Sequence, residues 1–241
     1  MSAAIDAFLA YAVSCDPGFA ETIRGATDDE IAQLARLSPL PLPDDYRAFL
    51  ARMGHGDGGL NIAMEGTSDI SAIIEHYRRS APCDHWPAGS LVIATGRLPG
   101  DIALLTVPDE EPWVVFTDGA AVSGLYADSL VTLLHRAAFA ALRLTRLRYS
   151  ALYDGGAHEP DAFAVACQAA AELGFEKQWF SDEVELCGAR EDALLAIAQY
   201  AQAPLAIAIC SDVPEEAIDV RRRLARALGD EKQTARDDLF R

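Results

Sequence analysis

Apolar residues between positions 40 and 59 recur at three- and four-residue spacing, which places their side chains on one face of a helix. Pro43 suits the first helical turn, where its missing N–H costs nothing, and the acids after it suit the positive end of the helix dipole. Glycines then end the helix, because they adopt backbone angles closed to other residues. The predicted helix carries Asp44 and Asp45, the apolar stripe Tyr46, Phe49, Leu50 and Met53, and the closing residues Gly54, Gly56, Gly58 and Gly59. We expect Gly54 or Gly56 to have a positive φ.

Further helices are predicted on both sides of this segment. Residues 3–13 and 28–37 have helical spacing. Thr27, with Glu30 three positions later, forms the capping-box pattern that begins a helix. Helical spacing returns after Ser129, a residue typical of the position before a helix. The first half of the chain therefore contains several amphipathic helices.

Strand patterns are interspersed with these helices. Alternating apolar residues predict a strand at 59–64, directly after the glycines. Between Trp86 and Gly119 the pattern predicts three strands, with a turn at Gly100-Asp101 and another at the Asp-Gly pair that ends the segment.

A change of pattern separates the second half of the chain. Residues 153–162 contain Gly155, Gly156 and Pro160, which favour a linker. The pattern beyond it predicts helices over 161–173, 190–201 and 214–228 and strands over 176–187 and 204–210. The last strand is apolar on both faces, as a central strand would be. Alternating helices and strands predict a small α/β unit. We therefore expect one domain over 1–150 and an accessory α/β domain over 151–241.

The order of these motifs resembles that of the SUKH superfamily, the yeast cell-wall-regulator-like domains. The shared features are a helix with Tyr-x-x-Phe-Leu, a following Gly-x-Gly, strands joined by a Gly-Asp turn, and a closing helix opened by Ser. The resemblance covers about residues 27–140. The residues that carry it, to which it assigns structural roles, are Pro43, Tyr46, Phe49, Leu50, Gly54, Gly56, Gly100 and Asp101.

The resemblance implies a fold and a function. The fold is α+β, a curved and mainly antiparallel sheet packed by helices, followed here by the α/β appendage. In bacteria such domains are mostly immunity proteins that neutralise toxins by binding them. Many of those toxins are nucleases with basic active-site clefts.

Charge is consistent with a basic partner. The chain of 241 residues has a formal net charge of −17, and the acidic excess extends over both halves. Such a field attracts basic proteins and repels nucleic acid, although solubility alone also favours it. No apolar run approaches the roughly 18 residues that span a bilayer, and the N-terminus makes a poor signal peptide. We expect a cytoplasmic bacterial protein that binds neither membranes nor nucleic acid directly.

Candidate catalytic and ligand-binding motifs are weak. Gly54, Gly56 and Gly59 satisfy G-x-G-x-x-G, but the motif follows a helix, whereas a dinucleotide site needs it between a strand and a helix. Zinc ligands could come from His76, Cys83 and His85, but their spacing fits no standard finger. Known nucleophile motifs are missing from the sequence. We therefore predict no catalytic residues, no cofactor and no metal.

Two acidic clusters are candidate partner-binding patches. One is the turn Asp109-Glu110-Glu111 with Trp113 beside it, and the other is Asp28-Asp29 at the start of a predicted helix. Tryptophan next to charge is typical of binding hot spots, whereas an ordinary acidic turn or helix start needs no partner. The basic run from Arg221 to Arg226 is explained by pairing with acids along its own helix.

Three functions remain open from the sequence. The first is an immunity-type protein that occludes a cognate basic toxin. The second is an intracellular regulatory or scaffold module that binds a host protein. The third is an enzyme whose site lies between the two halves.

Overall fold

The computed structural model describes residues 2–79, 86–96, 100–108, 110–154, 161–201 and 203–230. Its internal contacts divide the chain into two compact units, Met1–Ala138 and Phe139–Arg241. Both units combine helices with antiparallel sheets, so the α+β class expected for the fold is confirmed. The α/β arrangement expected for the second half was wrong, because every described strand pair of its sheet is antiparallel.

The first unit contains six helices among its described residues. They are α1 (Ala3–Cys15), α2 (Phe19–Thr22), α3 (Asp28–Leu37), α4 (Asp44–Met53), α5 (Ile70–Arg79) and α6 (Leu130–Ala138). The predicted capping box of α3 is confirmed: Glu30 N–H donates to Thr27 Oγ1 at 3.3 Å, and Thr27 N–H donates to the Glu30 carboxylate at 2.8 Å. The predicted stripe of α4 is also confirmed, since Tyr46, Phe49, Leu50 and Met53 are all buried.

Two short strands and a four-stranded sheet complete the first unit. The short pair is β1 (Ile23–Arg24) and β2 (Gly56–Asp57). The sheet contains β3 (Ser90–Ala94), β4 (Asp101–Leu105), β5 (Trp113–Asp118) and β6 (Ala121–Ala127). Its order is β3-β4-β5-β6, and every neighbouring pair is antiparallel. Three of these strands were predicted, and β6 was missed.

The glycine-rich segment after α4 corrects two predictions. Positive φ values occur at Gly58 (71°) and Gly59 (82°), not at Gly54 or Gly56. The prediction of a strand over 59–64 was also wrong, because residues 62–65 form a turn and Asn61 has a φ of 55°. Left-handed residues reverse the chain and break the alternation of an extended strand.

Gly54 is required for close packing. It ends α4 with a φ of −63°, in the ordinary right-handed region. A Cβ at this position would lie 2.6 Å from the carbonyl oxygen of Leu50 and 2.8 Å from the Cβ of Ala26. A side chain here would collide with the last turn of α4 and with the segment before α3.

Among its described residues, the second unit contains a five-stranded sheet and two α-helices, preceded by a π-helical turn (Phe139–Arg143) and a 3-10 turn (Leu144–Arg146). The strands are β7 (Tyr149–Asp154), β8 (Glu176–Lys177), β9 (Glu185–Ala189), β10 (Ala193–Ala198) and β11 (Ala206–Ser211), and the helices are α7 (Ala162–Glu172) and α8 (Pro214–Ala227). The order is β7-β11-β10-β9-β8, antiparallel throughout. The predicted central position of β11 is confirmed.

The predicted helix over 190–201 was wrong. Residues Ala193–Ala198 form β10, which is paired with β9 on one side and β11 on the other. A short run that is apolar at every position has no period that separates a helix from a buried strand. The predicted strand over 176–187 was too long, because the chain turns between β8 and β9.

The division into domains 1–150 and 151–241 stays a prediction. Its boundary falls inside β7, all of whose residues pair with β11 in the second unit. The predicted linker residues Gly155, Gly156 and Pro160 lie outside the described residues.

Candidate functional site

A small hollow lies where the start of α4 meets the loop between β4 and β5 and the start of α6. We call it the proline hollow; its volume is about 150 Å³. Its apolar lining consists of Pro43, Tyr46, Leu104, Pro112 and Leu130, and its polar lining of Asp44, Asp45, Glu111 and Ser129. Among the described residues, three carboxylates and no basic side chain line this hollow, so it presents an apolar floor beneath a negative border.

A larger hollow lies along the other side of α4. We call it the arginine hollow; its volume is about 430 Å³. Its charged lining residues are Asp6, Asp28, Asp44, Arg47 and Arg52. Arg52 forms an ion pair with Asp6 at 3.3 Å, and both side chains are about half exposed. Asp44 lines both hollows, so they adjoin at this residue.

The structure brings parts of the two predicted patches to these hollows. Glu111 from the acidic turn borders the proline hollow, and Asp28 from the start of α3 borders the arginine hollow. Asp44 lies between them. Its sequence signal was the acidic first turn of α4, which pointed only to the helix dipole.

The other described residues of the two predicted patches line neither hollow. Asp29 and Glu110 are exposed, but neither lines a hollow. Trp113 is the first residue of β5 and is 38% exposed. Asp109 lies outside the described residues.

The partial exposure of Trp113 leads to a stability prediction. We expect Trp113→Ala to lower the free energy of unfolding by about 1–2 kcal/mol, because much of the ring is already in contact with water. Phe49→Ala, which empties a site only 1% exposed, should cost about 3–5 kcal/mol. Urea denaturation of the two variants checks this. An equal loss in both would mean that Trp113 is a core residue and not a candidate anchor.

His55, missed as a site by the sequence patterns, connects three helical segments. Its Nε2 lies 3.0 Å from Glu30 Oε1, and its Nδ1 lies 3.2 Å from Asp69 Oδ2. Hydrogen bonds to Glu30 and to Asp69 raise the pKa of His55. The hydrogen bond from the Thr27 backbone, then those from the Thr27 hydroxyl and His55, lower the pKa of Glu30 to about 2. The segment that follows α4 is thus held to the start of α3 and to the segment before α5.

This cluster predicts a pH-dependent stability. The raised pKa of His55 adds stability that is complete below the ordinary value of 6.5 and is lost as pH rises through the folded-state pKa. The lowered pKa of Glu30 adds stability that is complete above 4.5 and is lost as pH falls towards 2. The stability difference between the wild type and His55→Gln should therefore be largest between pH 4.5 and 6.5.

Urea denaturation at several pH values measures this difference. The subtraction cancels titrations common to both proteins, including that of His135, whose pKa burial lowers. A difference that is constant from pH 3 to 9, roughly the range over which these groups titrate, would contradict the expected role of His55.

The weak metal and nucleotide candidates are placed as follows. His76 Nε2 lies 3.2 Å from Asp101 Oδ2, while Cys83 and His85 lie outside the described residues. Within the described ranges, no three His, Cys, Asp or Glu side chains are grouped so that they could hold a metal ion. Gly54, Gly56 and Gly59 follow α4 and precede turns, so the phosphate-binding context of their motif, a helix beginning at the glycines, does not occur.

The arginine run on α8 does not form one surface. Arg221 is completely buried, whereas Arg223 is exposed and its Nε lies 2.8 Å from Asp219 Oδ2, one turn earlier. The predicted pairing within the helix is confirmed at Arg223. Among the described helices, none is long and apolar enough to cross a membrane.

Comparison with known proteins identifies the class of the first unit. A family model of the SMI1 / KNR4 family (SUKH-1) matches residues 25–136, which lie within Met1–Ala138. Residues 25–136 therefore form a SUKH domain, as the motifs predicted. Searches of curated proteins and of solved structures found no match.

Proposed function

We propose that this protein is an immunity-type protein that binds a basic cognate toxin and blocks it. Three features support the proposal: the SUKH domain, whose family often supplies immunity proteins, the net charge of −17, and the acidic border of the proline hollow, which adjoins Asp28 and Asp44 of the arginine hollow. A cytoplasmic site of action is part of the proposal, because a nuclease toxin would meet nucleic acid there.

The single observation that carries the proposal is the junction of the hollows at Asp44. Carboxylates from separate elements border one surface there: Asp28 from α3, Asp44 from α4 and Glu111 from the loop before β5. Residues far apart in sequence that converge on connected concave surfaces favour recognition over mere solubility. A basic toxin surface would complement this arrangement and orient itself in its field.

The proline hollow suits a lysine or arginine side chain of the partner. The aliphatic stem would lie along Pro43, Leu104 and Leu130, and the charged end would reach the surrounding carboxylates. The positive ends of the α4 and α6 dipoles oppose a cation here, and Asp44 and Asp45 in the first turn of α4 offset that field. Blocking would then follow from shape and charge, so we assign no catalytic residue.

A regulatory or scaffold module that binds a host protein would use the same acidic surface. The two functions differ in the partner and not in the chemistry of recognition. Growth protection separates them, because only an immunity protein rescues cells from a toxin.

The decisive experiment co-expresses this chain with the product of the adjacent gene in a bacterial host. We expect the adjacent product alone to stop growth, this chain to restore it, and the two proteins to co-purify as a complex. Growth arrest that this chain does not relieve, or an adjacent product that is not toxic, would contradict the immunity proposal.

A further inference from the structure

The two edge strands of the four-stranded sheet, β3 and β6, differ in how much of their backbone is bonded by other parts of the chain. At the β3 edge, Val92 N–H donates to Tyr77 Oη at 2.8 Å. Beyond the end of β3, Thr67 and Thr95 exchange two backbone hydrogen bonds, at 2.8 and 2.9 Å. Much of the β3 edge is therefore occupied by its own chain.

The β6 edge is covered only at its end among the described residues: Arg136 donates a hydrogen bond to the Tyr126 carbonyl oxygen, and Tyr126 and Ala127 are buried, whereas residues 121–125 are at least partly accessible. β6 pairs with β5 on one side, and no described strand pairs with its other side. Ala121, Val122 and Ser123 are exposed, and 44% of the Val122 surface is accessible. An edge strand of this kind presents backbone N–H and C=O groups that another strand can bind.

The usual protections of an exposed edge are largely missing from β6. Its sequence, AVSGLYA, contains no charged residue and no proline. Two bulges do interrupt its pairing with β5, one at Ser123 and one at Tyr126. Bulges increase the twist of an edge and disfavour long, flat association, so they limit an added strand to a short segment.

Acidic residues lie at both ends of this neutral strand. Asp118 pairs with Ala121 at the beginning of β6, and Asp128 follows Ala127 at its end; both are exposed. A second copy of β6 would bring acids to acids at each end, whether it added parallel or antiparallel. Charge therefore disfavours self-pairing and favours a strand with basic residues at its ends.

The end of β6 also adjoins the predicted acidic patch. Ala127 pairs with Val114, so Trp113 lies at the same end of the sheet as Asp128. Glu111 precedes Trp113 by two residues and borders the proline hollow. A strand added to β6 would continue towards an exposed tryptophan and further carboxylates.

From these features we propose that β6 binds a short extended segment of a protein partner, flanked by lysine or arginine, as an additional strand. The choice of a basic protein partner rests on the proposed function. Backbone hydrogen bonds along β6 supply affinity, and Asp118 and Asp128 select the charge of the segment's ends. The proposal holds for any extended segment that carries lysine or arginine at its ends.

Synthetic peptides test the strand addition without any toxin. The probe is the peptide KKTVTVTKK, with EETVTVTEE and KKTVPVTKK as controls for charge and for strand formation. We expect both controls to bind the full-length protein at least about tenfold more weakly, because like charges repel and proline interrupts a backbone ladder. The KKTVTVTKK peptide should slow amide hydrogen exchange in residues 121–125 and leave residues 91–94 unchanged.

Two sets of variants extend the test. Ser123→Pro should abolish the exchange protection, while Ser123→Ala retains it. If Ser123→Pro does not fold, the double variant Asp118→Lys/Asp128→Lys provides the test. This variant should bind EETVTVTEE more tightly than KKTVTVTKK, the reverse of the wild type.

Several outcomes would overturn the proposal. Equal binding of KKTVTVTKK and KKTVPVTKK would mean that charge alone holds the peptide. An unchanged peptide preference in the double lysine variant would remove the roles of Asp118 and Asp128. A dimer of this chain protected at residues 121–125 would make a second copy the occupant. Because growth rescue is measured separately, failure of strand addition is distinguishable from failure of the immunity proposal.

Discussion

Gly100→Ala should lower the free energy of unfolding by about 3 kcal/mol or more, and the variant should fold poorly. Gly100 has a φ of 134°, a region that L-residues rarely adopt. A Cβ on this residue would lie 1.9 Å from the carbonyl oxygen of Thr117. Asp101 and Thr117 are paired across β4 and β5, so neither backbone can move without breaking the sheet.

Gly119→Ala provides the matched control. Gly119 also has a positive φ, 57°, but a Cβ on this residue would meet no atom within 4 Å beyond its chain neighbours. We expect a cost of about 1 kcal/mol, from backbone strain alone. Urea denaturation and thermal unfolding of the two variants measure the contrast. Similar losses in both would show that contact with Thr117 does not decide the role of Gly100.

The double variant Asp44→Lys/Glu111→Lys should slow association with the product of the adjacent gene by about tenfold or more at low salt. Both carboxylates line the proline hollow, where the reversal replaces attraction of a basic partner by repulsion. The association rate of the wild type should also fall steeply as salt rises, because screening weakens the attraction. Stopped-flow or surface-based kinetics at two salt concentrations give both rates.

Glu183→Lys/Glu191→Lys is the matched control for this variant. Both glutamates are exposed in the second unit, and the change in net charge is identical. If the hollow is the binding surface, the control should retain most of the association rate. Equal slowing in the two double variants would mean that only the total charge matters, and would remove the proline hollow from the proposed interface.

Local sequence patterns were reliable where one segment contains the whole physical cause. The Thr27 and Glu30 pair predicted the capping box because both partners belong to the same helical turn. The apolar stripe of α4 predicted its buried face because helical spacing alone aligns Tyr46, Phe49 and Met53. The motif order of the first half likewise predicted the SUKH domain that the family model matches.

Patterns failed where partners distant in sequence decide the structure. Ala193–Ala198 is a strand because β9 and β11 bond both of its edges, and nothing within those six residues specifies this. The positive φ falls at Gly58 and Gly59 because the chain must reverse there, after β2 pairs with β1. Local spacing carries no information about either partner.

The sequence by itself determined the charge of the protein, its amphipathic helices and the SUKH domain of its first half. Only the tertiary structure decided that Asp28, Asp44 and Glu111 border adjoining hollows, and that much of the β3 edge is covered while the first residues of β6 are exposed. Net charge follows from the composition, and hydrophobic periodicity follows from the order of neighbouring residues, so both can be read directly from the sequence. Concave surfaces and exposed strand edges form only when segments distant in sequence pack together, because that packing decides which parts of each segment stay exposed.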